Sequence, residues 1–172
     1  MMTQLETERL TLRRPNHLDV DAVTAFYATD RSQYVGGPVD ASDAWRKLAT
    51  FAGHWDLRGY GLFAIVPKGE TAAIGLAGPW HPINWPETEI GWHIWSTDHE
   101  GKGFAREAAL ATRTHAHQVL GWTNIVSYIA PGNDRSIALA KRLGAVQDHD
   151  APVPTPHDAS TCLVFRHPMG AA

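Results

Sequence analysis

The stretch of sequence that decides the fold spans residues 95–111 and reads W-S-T-D-H-E-G-K-G-F-A-R-E-A-A-L-A. A predicted strand ends at Trp95, the glycines at 101 and 103 free the backbone, and a helix begins directly after them. The exposed N–H groups of such a helix start, together with the positive end of the helix dipole, bind phosphate groups. This stretch therefore predicts a pyrophosphate site between a strand and a helix.

Two common nucleotide-binding motifs do not match this loop. A Walker loop requires Ser or Thr after its G-K pair, whereas Gly103 and Phe104 follow Lys102. A dinucleotide-binding fingerprint would place a third glycine where Arg106 stands and an acidic residue about twenty positions later. Residues 122–124 supply no such acid. Both motifs are excluded.

Composition excludes several other classes of protein. The 172 residues suit one domain over residues 1–172, and a net charge of −3 with a pI near 6.3 argues against a broad nucleic-acid-binding surface. The single cysteine, Cys162, excludes an internal disulfide and a cysteine-rich zinc site. No apolar run is long enough to span a membrane, and residues 1–14 lack the apolar run of a signal peptide. We therefore expect a cytoplasmic protein.

Hydrophobic periodicity predicts a mixed α/β domain with the element order β-α-α-β-β-β-α-β-α-β-β. The predicted strands are residues 8–14, 60–66, 72–77, 88–95, 124–130, 145–149 and 161–166. The predicted helices are residues 18–27, about 40–59, 103–120 and 133–143. Strict alternation in the fourth strand places Glu89 and His93 on the same face.

The loop segment E-G-K-G-F-A-R-E-A resembles the pyrophosphate-binding motif of the GNAT acyltransferase superfamily, written Q/R-x-x-G-x-G/A. The segments T-E-R-L-T-L-R-R, E-I-G-W-H-I and N-D-R-S-I-A-L-A-K-R-L-G-A follow the family's order and spacing, so the resemblance covers nearly the whole chain. Within the superfamily, the chain looks most like the branch that acetylates the N-termini of ribosomal proteins. One residue departs from the motif, because Glu100 stands where the family usually has Gln or Arg.

The resemblance implies a mixed, mostly antiparallel sheet of about seven strands with about four flanking helices, in which the fourth and fifth strands splay apart. It also implies acetyl-CoA as co-substrate, an amine as acceptor and no metal. The cofactor would be held by the backbone of His93, Ile94 and Trp95, by the loop, and by Asn133, which can equally serve as a helix N-cap. The loop residues concerned are Gly101, Lys102, Gly103, Phe104, Ala105 and Arg106.

Three residues are candidates for the catalytic groups. Glu89 on the splayed strand is the candidate base or water-orienting group, and His93 on the same face is the competing base. Many GNAT enzymes have a tyrosine acid seven residues after the asparagine, but Ala140 occupies that position. Ser136 matches the serine of the ribosomal-protein branch and is the candidate partner of the thiolate. Ser136 could instead only support the helix start, and Glu89 could be structural.

The predicted activity is direct transfer of an acetyl group to a primary amine, with a protein or peptide N-terminus as a candidate acceptor. A small-molecule amine, such as an antibiotic, a polyamine or an amino acid, and a non-catalytic acyl-CoA-binding module are the alternatives. The oligomeric state is expected to be monomer or homodimer. Four tryptophans fall in segments that line the acceptor groove of this fold, although core packing is the simpler role for each: Trp45, Trp55, Trp80 and Trp85.

Overall fold

The structure, a computed structural model, describes residues 4–169, and the ends of the predicted domain, residues 1–3 and 170–172, lie outside the described residues. Its strands are β1 (Gln4–Glu6), β2 (Leu10–Arg13), β3 (Phe63–Pro67), β4 (Gly75–Trp80), β5 (Glu89–Ile94), β6 (Val126–Ile129), β7 (Val146–Gln147) and β8 (Leu163–Arg166). Its α-helices are α1 (Val20–Tyr27), α2 (Ala41–Arg58), α3 (Phe104–Gln118) and α4 (Asp134–Arg142). Short 3-10 helices precede α1, α2 and α3.

The strands join in one sheet with the order β1-β2-β3-β4-β5-β6-β8-β7. Each neighbouring pair is antiparallel except β5 and β6, which run parallel. The predicted fold class is therefore confirmed, with eight strands in the described part of the chain instead of about seven. The additional strand is β1, whose three residues are too few to show a hydrophobic period and are fixed by pairing with β2.

Helices cover both faces of the sheet. Helices α1 and α2 bury Val23, Phe26 and Leu48 against one face, together with Leu76 of β4. Helix α3 lies on the other face, where Ala108, Ala109 and Ala116 are fully buried. Because these side chains are small, the axis of α3 comes close to the strands that hold its N-terminal loop.

Two predicted strands have the largest boundary errors, of three residues each. The strand predicted for residues 60–66 begins only at Phe63, because side chains of α2 occupy the preceding carbonyls: His54 Nδ1 lies 2.8 Å from the Tyr60 oxygen, and Trp55 Nε1 donates to the Leu62 oxygen at 2.9 Å. The strand predicted for residues 72–77 is instead β4, which extends to residue 80 because it pairs with β5 along its whole length.

The parallel strands β5 and β6 separate soon after they meet. Their register contains one position, Glu89 opposite Val126. A continued parallel ladder would bond the Tyr128 N–H to the Ile90 carbonyl, but the Ser127 hydroxyl donates to that carbonyl at 2.6 Å. The strands therefore splay beyond Glu89, as expected for the fourth and fifth strands of the predicted fold.

Candidate active site

The loop between β5 and α3 has the backbone that an anion site requires. Gly101 and Gly103 have φ angles of +70° and +81°, a region that L side chains rarely adopt. Gly103 is the N-cap residue of α3, and no side chain caps that helix. The N–H groups of Phe104, Ala105 and Arg106 in its first turn are therefore placed to bind phosphate oxygens. Lys102, between the two glycines, is exposed to solvent.

Arg9, near the start of the chain, supports this loop. Its guanidinium donates from Nη1 to the Lys102 carbonyl at 2.9 Å and from Nε to Glu107 Oε2 at 2.7 Å. The same group lies 4.8 Å from the centre of the Phe104 ring. Glu107 also accepts hydrogen bonds from the Arg9 N–H and from Thr7, so its pKa is lowered even though burial opposes this. These contacts connect the loop to the segment of chain that leads into β2.

Glu100, the residue that departs from the family motif, is bound by two arginines. Its Oε1 accepts from Arg31 Nη2 at 2.5 Å and its Oε2 accepts from Arg135 Nη1 at 2.6 Å. The carboxylate therefore does not present an uncompensated negative charge beside the anion site. Arg31 also donates to the carbonyls of Ile94 and Trp95, at 3.3 and 3.1 Å, which joins this cluster to β5.

The three predicted backbone contacts on β5 do not face the same way. The Trp95 N–H donates to the Ile74 carbonyl beside β4 at 2.8 Å. Because backbone groups of successive residues alternate between the two edges of an antiparallel strand, His93 also faces β4. The groups of Ile94 face the gap beside β6. The Ile94 carbonyl accepts from Arg31, so of the three residues Ile94 is the one whose N–H lies open to a ligand in the splay.

Glu89 lies where β5 and β6 separate. Trp85 Nε1 donates to its Oε2 at 2.6 Å, and the Tyr128 N–H faces its Oε1 at 3.4 Å. Burial raises the pKa of Glu89 from 4.5 to about 7, and both hydrogen bonds oppose that rise. A carboxylate with this pKa can accept a proton near neutral pH.

His93 lies on the same face of β5 but in a different environment. Its ring stacks on Phe26 at 5.4 Å, and its Nδ1 accepts from Trp95 Nε1 at 3.0 Å. Burial, assisted by the positive charge of Lys47, lowers the pKa of His93 to about 4. The ring is therefore neutral at pH 7, and because Nδ1 is an acceptor, Nε2 carries the proton. His93 in this state has no nitrogen available to take a proton from an amine.

Asn133 and Ser136 stand at the start of α4, on the far side of the splay. Asn133 Oδ1 accepts from the Ser136 N–H at 3.3 Å, so the N-cap role considered from sequence is present. The Ser136 hydroxyl oxygen accepts from Trp92 Nε1 at 3.3 Å. Its hydroxyl hydrogen is therefore available to another acceptor. Ala140, at the family's tyrosine position, is fully buried.

A cavity of about 540 Å³ brings these groups together between the splayed strands and helices α1 and α2. Glu89, His93, Asn133 and Ser136 all line it. Of the four tryptophans considered from sequence, Trp80 and Trp85 line the cavity, Trp55 is buried in the core, and Trp45 is 57% exposed on α2.

Sequence patterns did not reveal several contributors to the site. Arg9, Arg31 and Lys47 reach it from elements distant along the chain, and no local motif marks them. Arg135 could have been suspected, because it lies next to Ser136 in the segment that matches the family. Its pairing with Glu100 joins residues 35 positions apart, which only the fold shows.

Within residues 4–169, histidine, cysteine and acidic side chains form no group of three or more that could hold a metal ion. None of the helices in that range combines the length and the apolar character needed to cross a bilayer.

The loop, the splay and the cavity define an acyl-CoA-dependent acyltransferase fold, and the chain belongs to the GNAT acetyltransferase family. A family model described as "Acetyltransferase (GNAT) domain" matches residues 9–146. The protein is therefore an acetyl-CoA-dependent N-acetyltransferase.

Solved structures agree with this assignment. The chain is similar to an acetyltransferase from Agrobacterium tumefaciens str. C58, with 37% identity and a TM-score of 0.88 over 97% of this chain and 95% of the other. A GNAT-family acetyltransferase from Bacillus anthracis shares the fold at 21% identity and a TM-score of 0.73, over 95% of this chain and 96% of the other. The ribosomal L7/L12 alpha-N-protein acetyltransferase RimL shares it at 17% identity and a TM-score of 0.71, over 97% of this chain and 93% of the other.

Proposed function

We propose that the protein transfers the acetyl group of acetyl-CoA directly to the α-amino group of a peptide N-terminus, with Glu89 as the group that accepts the amine proton. The observation that carries this proposal is the position of Glu89 at the opening of the splay, where burial raises its pKa to about 7. A base works best when its pKa lies near the working pH, so this carboxylate suits proton transfer from an amine at neutral pH.

The alternative base, His93, is less well suited. Its pKa of about 4 makes it a much weaker base than Glu89, and its Nδ1 is engaged by Trp95. The stacking of its ring on Phe26 also holds it in place as part of the cavity wall. His93 therefore serves to shape the acceptor side of the site.

The first-turn N–H groups of α3 would hold the pyrophosphate of acetyl-CoA, and the N–H of Ile94 would hold the pantetheine arm. Gly101 and Gly103 leave room for the phosphates, and Lys102 and Arg106 add positive charge nearby. Asn133 lines the cavity and would contact the arm. When bound, acetyl-CoA supplies an activated thioester that an unprotonated amine attacks without a covalent enzyme intermediate.

Ser136 is the group proposed to assist the leaving thiolate. Because Trp92 Nε1 donates to its hydroxyl oxygen, the hydroxyl hydrogen can point into the cavity and donate to sulfur. This assistance stabilises negative charge that develops as the C–S bond breaks. The amine proton is held by Glu89, at the start of β5.

The choice of an α-amino acceptor rests on proton energetics. An α-amino group has a pKa of about 7.7–8.0 and a lysine side chain about 10.4, so deprotonation at pH 7 costs about 1.2 and about 4.6 kcal/mol respectively. Glu89 is a base of moderate strength, which favours the acceptor that releases its proton more easily. The fold shared with RimL, an alpha-N-protein acetyltransferase, agrees with this choice.

The test compares two peptides of the same length under initial-rate conditions, with release of free thiol as the readout. One has a free N-terminal Ala or Ser and no lysine, and the other has a blocked N-terminus and one internal lysine. The first should be acetylated with a kcat/KM roughly a hundredfold or more above the second at pH 7, following the difference in unprotonated amine. Preference for the lysine peptide, or activity only on a small-molecule amine, would overturn the proposed acceptor.

A further inference from the structure

The acceptor side of the cavity is mostly aromatic. Five of the rings that line it come from α1, α2, the 3-10 helix before α2, β4 and the segment before β5, namely Tyr27, Phe51, Tyr34, Trp80 and Trp85. Among its lining residues, Glu89 is the one carboxylate and Lys47 the one lysine or arginine. A binding site of this kind takes an apolar body and orients it by a few polar groups.

Lys47 has no acidic partner among the residues that the structure describes. No carboxylate in that range lies within 4.0 Å of its Nζ, which instead lies 5.1 Å from the centre of the Tyr27 ring. The nearest acidic residue on its helix, Asp43, is bound to Arg46 at 2.6 Å. Burial lowers the pKa of Lys47, and the charge of Asp43 opposes this, as expected for a half-buried ammonium without a bound anion.

The position of Lys47 relative to Glu89 follows from their neighbours. A Cβ placed on Gly91 would lie 3.4 Å from Glu89 Oε1, so the carboxylate leans along β5 toward His93. The Tyr27 ring, beneath Lys47, is 6.4 Å from the His93 ring. Residues 91 and 93 are two positions apart on one face, a step of roughly 7 Å along a strand. The proton-accepting carboxylate and the ammonium thus lie at two ends of one cavity wall.

We propose that Lys47 binds a carboxylate of the acceptor, and that the preferred acceptor is a peptide N-terminus with a negative charge within its first two residues. This inference rests on the proposed function, because it places the α-amine at Glu89. An extended acceptor of two residues is roughly 7 Å long, and a hydrogen bond of about 3 Å at each end extends its reach beyond the single step between residues 91 and 93. Either the side chain of an acidic second residue or the terminal carboxylate of a dipeptide supplies the required chemistry. The aromatic wall contacts the rest of the acceptor.

The experiment measures kcat/KM for matched pairs of acceptors at pH 7.5 and low ionic strength. Ala-Glu-amide is compared with Ala-Gln-amide, which has the same shape without the charge, and the free dipeptide Ala-Ala is compared with Ala-Ala-amide. A charge-assisted contact predicts that the wild-type enzyme prefers each acid over its neutral partner by roughly tenfold to a hundredfold. The first pair reports a side-chain carboxylate and the second a terminal carboxylate.

Three variants assign the preference to Lys47. Lys47→Met should bring the acid-to-neutral ratio close to one, Lys47→Arg should keep most of it, and Lys47→Glu should reverse it. Lys141→Met, on the exposed side of α4 and outside the cavity, is the matched control and should leave the ratio unchanged. Calorimetric binding of acetyl-CoA checks that each variant is folded.

The inference is overturned if the wild-type enzyme acetylates acid and neutral partners equally, a result that does not depend on any variant folding. It is also overturned if Lys47→Met keeps the wild-type ratio. If the wild-type enzyme acetylates no peptide α-amine, the proposed function is overturned instead. The two failures are therefore distinguishable.

Discussion

Ser136 makes two contacts through different atoms. Its backbone N–H donates to Asn133 Oδ1 and supports the start of α4, whereas its hydroxyl faces Trp92 and the cavity. The capping contact does not involve the Ser136 side chain, so replacement of Ser136 by alanine removes only the hydroxyl. One substitution thus separates the catalytic role of this residue from its structural role.

We predict that Ser136→Ala lowers kcat by roughly tenfold to a hundredfold, less than the full range of acid catalysis because a thiolate needs little help to leave. The KM for acetyl-CoA and the thermal midpoint should change little. Ser42→Ala, an exposed serine in the first turn of α2, is the matched control. If the kcat of Ser136→Ala is within twofold of the wild-type value, Ser136 only supports the start of α4.

At the scale of elements, the loop between β5 and α3 depends on its backbone more than on its side chains. Gly103 combines a left-handed φ with the position directly before the unpaired N–H groups of α3. A Cβ there would be 3.3 Å from Arg9 Nη2, the end of a flexible side chain that can move aside. A larger residue at this position therefore obstructs the phosphates without disrupting the core.

We predict that Gly103→Val weakens acetyl-CoA binding, measured by calorimetry, by about tenfold or more. Forcing valine into a left-handed conformation also costs about 1–2 kcal/mol of stability, so a control for strain is needed. Gly69→Val provides it, since Gly69 has a φ of +89°, no atom within 4 Å of its Cβ position, and a place in the turn after β3. If Gly103→Val binds acetyl-CoA as tightly as Gly69→Val and wild type do, the loop is not the cofactor site.

Local signals in the sequence predicted the elements that are defined by their own caps and periods. Helix α2 begins after Asp40, whose side chain accepts from the Asp43 N–H, and ends at Gly59 in a left-handed conformation. The 3-10 helix over Asp30–Val35 was missed, and it is this helix that carries Arg31 to the cofactor loop. Its conformation depends on contacts with α1 and β5, which no local pattern records.

At the scale of the whole molecule, the sequence predicted the fold class and the loop, but not the order in which strands join. The strand β8 lies between β6 and β7. His167, directly after β8, has its Nε2 atom 2.9 Å from Ser127 Oγ. That contact holds the Ser127 hydroxyl in the position from which it donates to the Ile90 carbonyl, and this hydrogen bond helps to keep β5 and β6 apart. Contacts between residues 40 positions apart depend on how the sheet packs, and hydrophobic periodicity in the sequence does not indicate them.

The same limit applies to the candidate site. Glu89, Ser136 and the glycines could be selected because each lies in a segment with a family pattern, and the structure brings them to one cavity and one adjoining loop. The sequence does not show which of Glu89 and His93 has a pKa suited to accepting a proton at neutral pH. Both are acid–base groups on one face of one strand, and burial moves their pKa values in opposite directions.

The pH dependence of kcat/KM in wild type and in Glu89→Gln tests most directly whether Glu89 accepts the amine proton. Because the pKa of Glu89 is raised to about 7, the wild-type value should climb as the carboxylate ionises through pH 7, and it should level off only above about pH 9, where the α-amine, with a pKa of about 7.7–8.0, is also largely unprotonated. Glu89→Gln should be slower by roughly 10²–10³-fold and should lose the inflexion near pH 7, keeping only that of the amine. A Glu89→Gln enzyme that retains that inflexion, or that works within a few-fold of the wild-type rate, would contradict the assignment of Glu89 as the base.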